Sequence, residues 1–176
     1  MALEVRELRP EETDVVVGYF HGAPPGQLDL MGIDPTRMPE PARWRRSLAD
    51  DLRRPPERRD VYVLLWELDG EAVGFAGADR ILPGAQAHMH LHVLDPARRR
   101  QGIGTAGVRL SSAVFMEALE LARLYCEPNA FNVAPNRTLQ RAGFRYLRTY
   151  VAEPGPMNFR QAVTAWVLER TPGQAA

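Results

Sequence analysis

The chain has 176 residues, enough for one domain with a sizeable core, and its 22 basic residues, all arginine, balance 22 Asp and Glu. That balance excludes a nucleic-acid binder relying on net charge, and the single Cys126 excludes an intramolecular disulfide and fits a reducing compartment. The charged start (Glu4, Arg6, Glu7, Arg9) lacks an apolar signal core and no run approaches membrane-spanning length, so a cytoplasmic protein without membrane partners is expected.

Leu3 to Leu8 alternates and reads as the first strand; Pro10 suits the start of a helix reaching about Phe20. Gly and Pro break the pattern repeatedly between Gly22 and Pro41, which reads as an irregular connection. Pro41 to Leu52 predicts a second helix with Trp44, Leu48 and Leu52 along one face. Asp60 to Leu68 and Glu71 to Ile81 predict strands joined by the Asp69-Gly70 hairpin signal. Ala87 to Leu94 is the next strand, and its alternation puts His88, His90 and His92 on one face. Gly104 to Leu121 is the longest helical pattern. After it come a short strand (Leu124 to Glu127), a short helix (Pro135 to Arg141) ended by Gly143, and strands at Phe144 to Ala152 and Ala162 to Glu169. The order is α+β: a mixed, mostly antiparallel sheet of about six to seven strands with about four helices, one domain over 1–170 and a disordered tail over 171–176.

Between the histidine strand and the longest helix runs Arg98-Arg99-Arg100-Gln101-Gly102-Ile103-Gly104-Thr105. A glycine-bearing loop at a helix start turns main-chain N–H groups outward, where the helix dipole adds roughly half a positive charge. Gly102 and Gly104 let an anion approach the main chain closely, and the arginines point to a polyanion. Gly102-x-Gly104-x-x-Gly107 also satisfies the dinucleotide fingerprint. That reading requires a parallel strand immediately before the first glycine, whereas Pro96 and three arginines intervene here.

The spacing Arg99-x-x-Gly102-x-Gly104 resembles the coenzyme A loop of the GNAT superfamily of N-acetyltransferases. Asn132-Val-Ala-Pro-Asn136-Arg-Thr-Leu139-Gln-Arg-Ala-Gly143-Phe144 resembles the N-x-x-S-x-x-x-L-x-x-x-G-F segment of its ribosomal-protein N-terminal acetyltransferase branch. The resemblance spans roughly Leu3 to Arg170 and implies a GNAT-like sheet, acetyl-CoA as co-substrate and a small-molecule or peptide amine as acceptor. It places the pyrophosphate against Arg99, Arg100, Gln101, Gly102, Ile103, Gly104 and Thr105, and the pantetheine along His92, Val93 and Leu94. Asn132 and Asn136 would contact the coenzyme arm; Asn132 could equally cap the short helix. A family glutamate that acts as general base falls on His88, whose ordinary pKa suits that work at neutral pH; His90 and Glu127 are the other candidates. Two family positions that protonate the leaving thiolate hold Leu139 and Pro135 instead, leaving water or Tyr125 to do so.

Three readings therefore stand at this level. The first is an N-acetyltransferase, the second an acyl-CoA-binding module without turnover, and the third a metal-dependent enzyme using His88, His90 and His92. The sequence is compatible with a monomer or a homodimer.

Overall fold

The computed structural model describes residues 2–95, 97 and 101–170. In chain order it contains β1 (Leu3–Glu7), α1 (Asp14–His21), α2 (Pro25–Met31), α3 (Pro41–Leu52), β2 (Val61–Leu68), β3 (Glu71–Leu82) and β4 (Gln86–Val93). Then follow α4 (Ile103–Ala118), β5 (Arg123–Cys126), α5 (Val133–Ala142), β6 (Arg145–Ala152) and β7 (Gln161–Glu169). The strands form one sheet in the order β1-β2-β3-β4-β5-β7-β6, antiparallel throughout except for β4 and β5.

Strand β2 shows how the layers are built. Its Tyr62, Leu64 and Trp66 enter a core shared with Val108 and Phe115 of α4 and Leu139 of α5. The intervening Val63 and Leu65 enter a second core with Val16 and Phe20 of α1, Leu28 of α2 and Leu48 of α3. Period-two alternation thus feeds both faces, and each fully buried leucine contributes about 1.5–3 kcal/mol. Asp51, buried at the end of α3, accepts the main-chain N–H groups of Asp60 (3.0 Å) and Val61 (2.9 Å) and so fixes the entry into β2.

Trp66 sets how closely α4 approaches the sheet. A Cβ at Gly74 would lie 2.4 Å from its ring and one at Gly107 2.5 Å, while its Nε1–H donates to Ser111 Oγ at 2.7 Å. Gly107 therefore serves helix-on-sheet packing. Since β4 ends at Val93 and Gly102 does not follow it directly, the dinucleotide reading of Gly102-x-Gly104-x-x-Gly107 is set aside.

Two expectations are corrected by local chemistry. The stretch expected to be an irregular connection contains α2: Pro25 occupies its first turn, and Gly32 (φ 68°) ends it in the left-handed conformation. Proline and glycine here mark helix ends rather than a break. The helix expected from Pro10 is a 3-10 turn (Pro10–Glu12) followed by α1, and Arg6 holds the turn by a fork onto Glu12 (2.7 and 2.8 Å). The Asp69-Gly70 hairpin turns with both residues at positive φ (53° and 80°). The tail expected over 171–176 lies outside the described residues, as do Arg98, Arg99 and Arg100.

Gly107→Ala should destabilise the protein by about 1–3 kcal/mol, because the added methyl meets the buried Trp66 ring. Gly18→Ala, on the exposed side of α1 with nothing within 4 Å, should stabilise it by about 0.5–1 kcal/mol. Urea denaturation of the two variants against wild type checks the pair.

Candidate active site

Strands β4 and β5 share only the pairs Gln86 with Arg123, Ala87 with Leu124 and His88 with Tyr125. From there β4 follows β3 to Val93, whereas the chain after β5 stays with β7: Ala130 N–H donates to Ala162 (2.9 Å) and Thr164 N–H to Pro128 (3.0 Å). The sheet parts, and one edge of β4 is open. Leu94 N–H donates to Val73 at 3.0 Å, so alternation points the main-chain groups of His92 and Leu94 at β3 and those of Leu91 and Val93 into the opening. Of the track expected over His92, Val93 and Leu94, Val93 faces the gap by its main chain and Leu91 joins it.

A groove of about 700 Å³ runs along this edge. Its far end is the start of α4, where Gly102 (φ 84°) is the cap and Gly104 and Thr105 form the wall. The first N–H groups of that helix have no intrahelical acceptor. Ile103 turns its side chain into the core, and Gln101 is exposed. Arg137 and Arg141, one turn apart on α5, also line the groove. Tyr19 and Gln27 line it from the other side. These four escaped the sequence reading; the i, i+4 spacing of the arginines was the available signal.

Asn132 starts α5 without a side-chain cap bond; its Nδ2 donates to Leu30 C=O at 3.1 Å, and it borders the groove. Asn136 is committed inside the protein. Its amide donates to the carbonyls of Asn129 (3.1 Å) and Asn132 (2.8 Å) and accepts from Trp166 Nε1 (2.8 Å), so it shapes the turn before α5.

Beyond Leu91 and His92 the groove meets a second cavity of about 330 Å³, on the α1 and α3 side of the sheet. Its floor includes Phe75 and Gly77 of β3 and its walls Phe20, Trp44 and Leu48. Gly77 faces His90 in the register, and the missing side chain leaves the space above the strands. The roof is made by two loops tied together: Asp34 N–H donates to Met157 (2.8 Å), Phe159 N–H to Gly32 (3.1 Å), and Arg37 pairs with Glu153 (2.9 Å).

The three histidines do share a face, but their surroundings differ. His92 stacks on Phe75 (4.7 Å) against the edges of Tyr19 and Phe20, and burial in that cage pushes its pKa down to about 3. His90 borders the cavity with Nε2 3.0 Å from Asp79 Oδ2. Burial alone would raise the Asp79 carboxyl; His90 and Arg80 outweigh it and hold it at about 2. His88 stacks on Tyr125 (5.2 Å) and borders neither space; its Nδ1 lies 3.6 Å from Glu127 Oε2, an ion-pair separation rather than a hydrogen bond. Glu127 reaches the cavity, accepts from the Tyr150 hydroxyl and sits 3.5 Å from Arg80 Nη1. The His88 imidazole, with Tyr150 and Arg80, holds its carboxyl at about 2 against the opposing effect of burial. Burial, with Glu127 and Asp79 nearby, pushes the Cys126 thiol up, which makes it unreactive. Among the described residues no three His, Cys, Asp or Glu side chains converge as metal ligands.

The family model for the acetyltransferase (GNAT) family matches residues 27–144. The chain belongs to this family. Its activity class is N-acetyltransfer, which the metal and binding-module readings do not share. No curated protein matches the sequence. Among solved structures, the ribosomal-protein-S5-alanine acetyltransferase of Vibrio fischeri is similar with a TM-score of 0.75 at 16% identity, over 99% of this chain and 97% of that one. RimL, the ribosomal L7/L12 alpha-N-protein acetyltransferase solved with coenzyme A, gives 0.73 at 16% over 96% and 94%. The aminoglycoside acetyltransferase AAC(6')-Ib, solved with ribostamycin and coenzyme A, gives 0.71 at 16% over 99% and 100%. At these identities the likeness is one of fold. No helix among the described residues is long and apolar enough to cross a membrane.

The depressed carboxyl of Glu127 makes a pH prediction. Its folded pKa lies below the ordinary 4.5, so the stability it contributes is fully present above pH 4.5 and is lost as pH falls toward about 2. Glu127→Gln should be less stable than wild type at neutral pH, and its urea midpoint should fall less steeply through that window.

Proposed function

We propose that the protein transfers an acetyl group from acetyl-CoA to a primary amine by direct attack in a ternary complex. The observation that carries this is the junction of two spaces at Leu91, His92 and Asn132, which line both. The groove suits an extended chain ending in phosphates: main-chain groups of Leu91 and Val93 meet pantetheine amides, and the N–H groups at Gly102 to Thr105 meet the pyrophosphate. Arg137 and Arg141 add charge from α5, and Arg99 and Arg100 adjoin the same helix start in sequence. Coenzyme A in the solved RimL and AAC(6')-Ib structures supports this use of the fold.

On the amine side, His90 is the base. With Nε2–H donating to the ionised Asp79, its Nδ1 is left as the proton acceptor, and Asp79 stabilises the imidazolium that forms. Glu127, held at about 2, is too weak a base, and His88 stands behind it with Nδ1 3.6 Å from its carboxylate. The freed amine attacks the thioester carbonyl, the carbon–sulfur bond breaks, and the thiolate takes a proton. Leu139 is buried in the core and cannot supply that proton; Tyr19, in the groove wall beside His92, takes the place first given to Tyr125, which borders neither space. A cytoplasmic, reducing setting suits the single buried Cys126.

Isothermal titration and a free-thiol assay test the assignment. Gly104→Val should weaken acetyl-CoA binding by about tenfold or more, because branched methyls fill the groove wall between Thr138 and Val93. His90→Gln should lower kcat by roughly 10²-fold with acetyl-CoA affinity unchanged, and the rise of rate with pH should vanish. Retention of that limb in His90→Gln, with its loss in His88→Gln, moves the base to His88. Binding without thiol release over a broad amine panel overturns the transferase reading.

A further inference from the structure

Resting on the acetyltransfer reading, we infer that the acceptor is a small monoamine with an apolar aromatic or branched aliphatic body, and not a polyhydroxylated aminoglycoside, a polyamine or a free amino acid. The cavity on the α1 and α3 side is built in two chemical halves. At the end of the cavity beyond Gly77 stand Asp79, His90 and Glu127, two carboxylates and an imidazole that favour a cationic headgroup, with Arg80 paired to both carboxylates. Away from them the wall turns apolar: Phe20, Trp44 and Leu48 from the helices, Val61 and Val63 from β2, Met157 from the roof. One amine is drawn to the acidic end, and whatever carries it must sit among rings and branched chains.

Each excluded class fails on a feature of this lining. No arginine is among the described residues that border the cavity, and Arg80 is already paired with Asp79 and Glu127, so the carboxylate of a free amino acid would meet those carboxylates without a cation of its own. The second ammonium of a polyamine would have to lie beside Trp44 and Leu48, where none of the described lining residues supplies a counter-charge. Sugar hydroxyls need partners once stripped of water, and the asparagines at 129, 132 and 158 are partly committed: Asn132 Nδ2 to Leu30, Asn158 Nδ2 to Gly32 (3.0 Å). The volume, about 330 Å³, suits one compact body rather than several linked rings.

Initial rates of thiol release with acetyl-CoA should be compared for phenethylamine, isoamylamine, spermidine, kanamycin and a tripeptide amide with leucine first. Phenethylamine or isoamylamine should lead in kcat/KM by about tenfold or more, the discrimination an apolar pocket supplies. Gly77→Leu, which fills the floor, should raise the KM for phenethylamine by about tenfold or more and leave acetyl-CoA affinity unchanged. Trp44→Ala should act the same way. A lead by spermidine, kanamycin or the peptide overturns the inference while leaving acetyltransfer standing. If no amine releases thiol, acetyltransfer falls and binding alone decides. Phenethylamine should then change the tryptophan emission of wild type and not of Trp44→Phe, and no change in wild type overturns the inference.

Discussion

Strand β5 is four residues long and is followed by Pro128, whose nitrogen has no hydrogen to donate. The chain there keeps its bonds with β7 and gives up β4, while β4 keeps its bonds with β3. An edge of main-chain donors and acceptors is thereby left facing a gap in the middle of the sheet. Such groups are costly to bury without partners, so the gap stays wet or takes a ligand with amides of its own. The start of α4, the turn before α5 and the small helix α2 all border this gap. The close seat of α4 on Trp66 is what keeps the helix start aimed at it.

The histidine strand illustrates how register turns one residue type into three. Opposite His92 stands Phe75, opposite His90 stands Gly77, and opposite His88 stands Asp79. The phenyl ring cages the first and keeps it neutral. The glycine leaves the second room beside a cavity, from which its ring reaches diagonally to the Asp79 carboxylate. The third is covered by Tyr125 and serves Glu127. A register slip of one residue would move all three to the α4 side. The irregularity between Asp79 and Leu82, with Arg80 at a positive φ of 47°, brings the Arg80 guanidinium to Glu127.

Local signals carried most of the fold and the glycine-bearing helix start that borders the groove. The Asp69-Gly70 turn, the α3 boundaries at Pro41 and Leu52, the glycine-bearing start of α4 and the stop at Gly143 all lie within a few residues of the feature they specify. What could not be read depends on pairs far apart in the chain. His90 meets Asp79 across a hairpin with an irregular register, a pairing that a positional count along the family motif does not see. Glu127, named from the sequence as a candidate base, lines the cavity, but its low pKa comes from His88, Tyr150 and Arg80, partners supplied by other strands. Asn136 lies one helical turn after Asn132 and has the same residue type, yet Trp166 of β7 claims it. The helix α2 was hidden because its proline and glycine signals occur so close together that they cancel any apolar period.

The two spaces differ in what they are cut from. The groove is a flaw in the sheet, between elements whose opening requires breaking strand ladders and the Trp66 core, among the last parts of a protein to exchange with solvent. The chamber is closed above by loops joined through a few main-chain bonds and one exposed ion pair. Loops of this kind part in roughly nanoseconds to microseconds. The chamber can therefore breathe while the groove beside the Trp66 core keeps its shape, giving the molecule one rigid space and one compliant one.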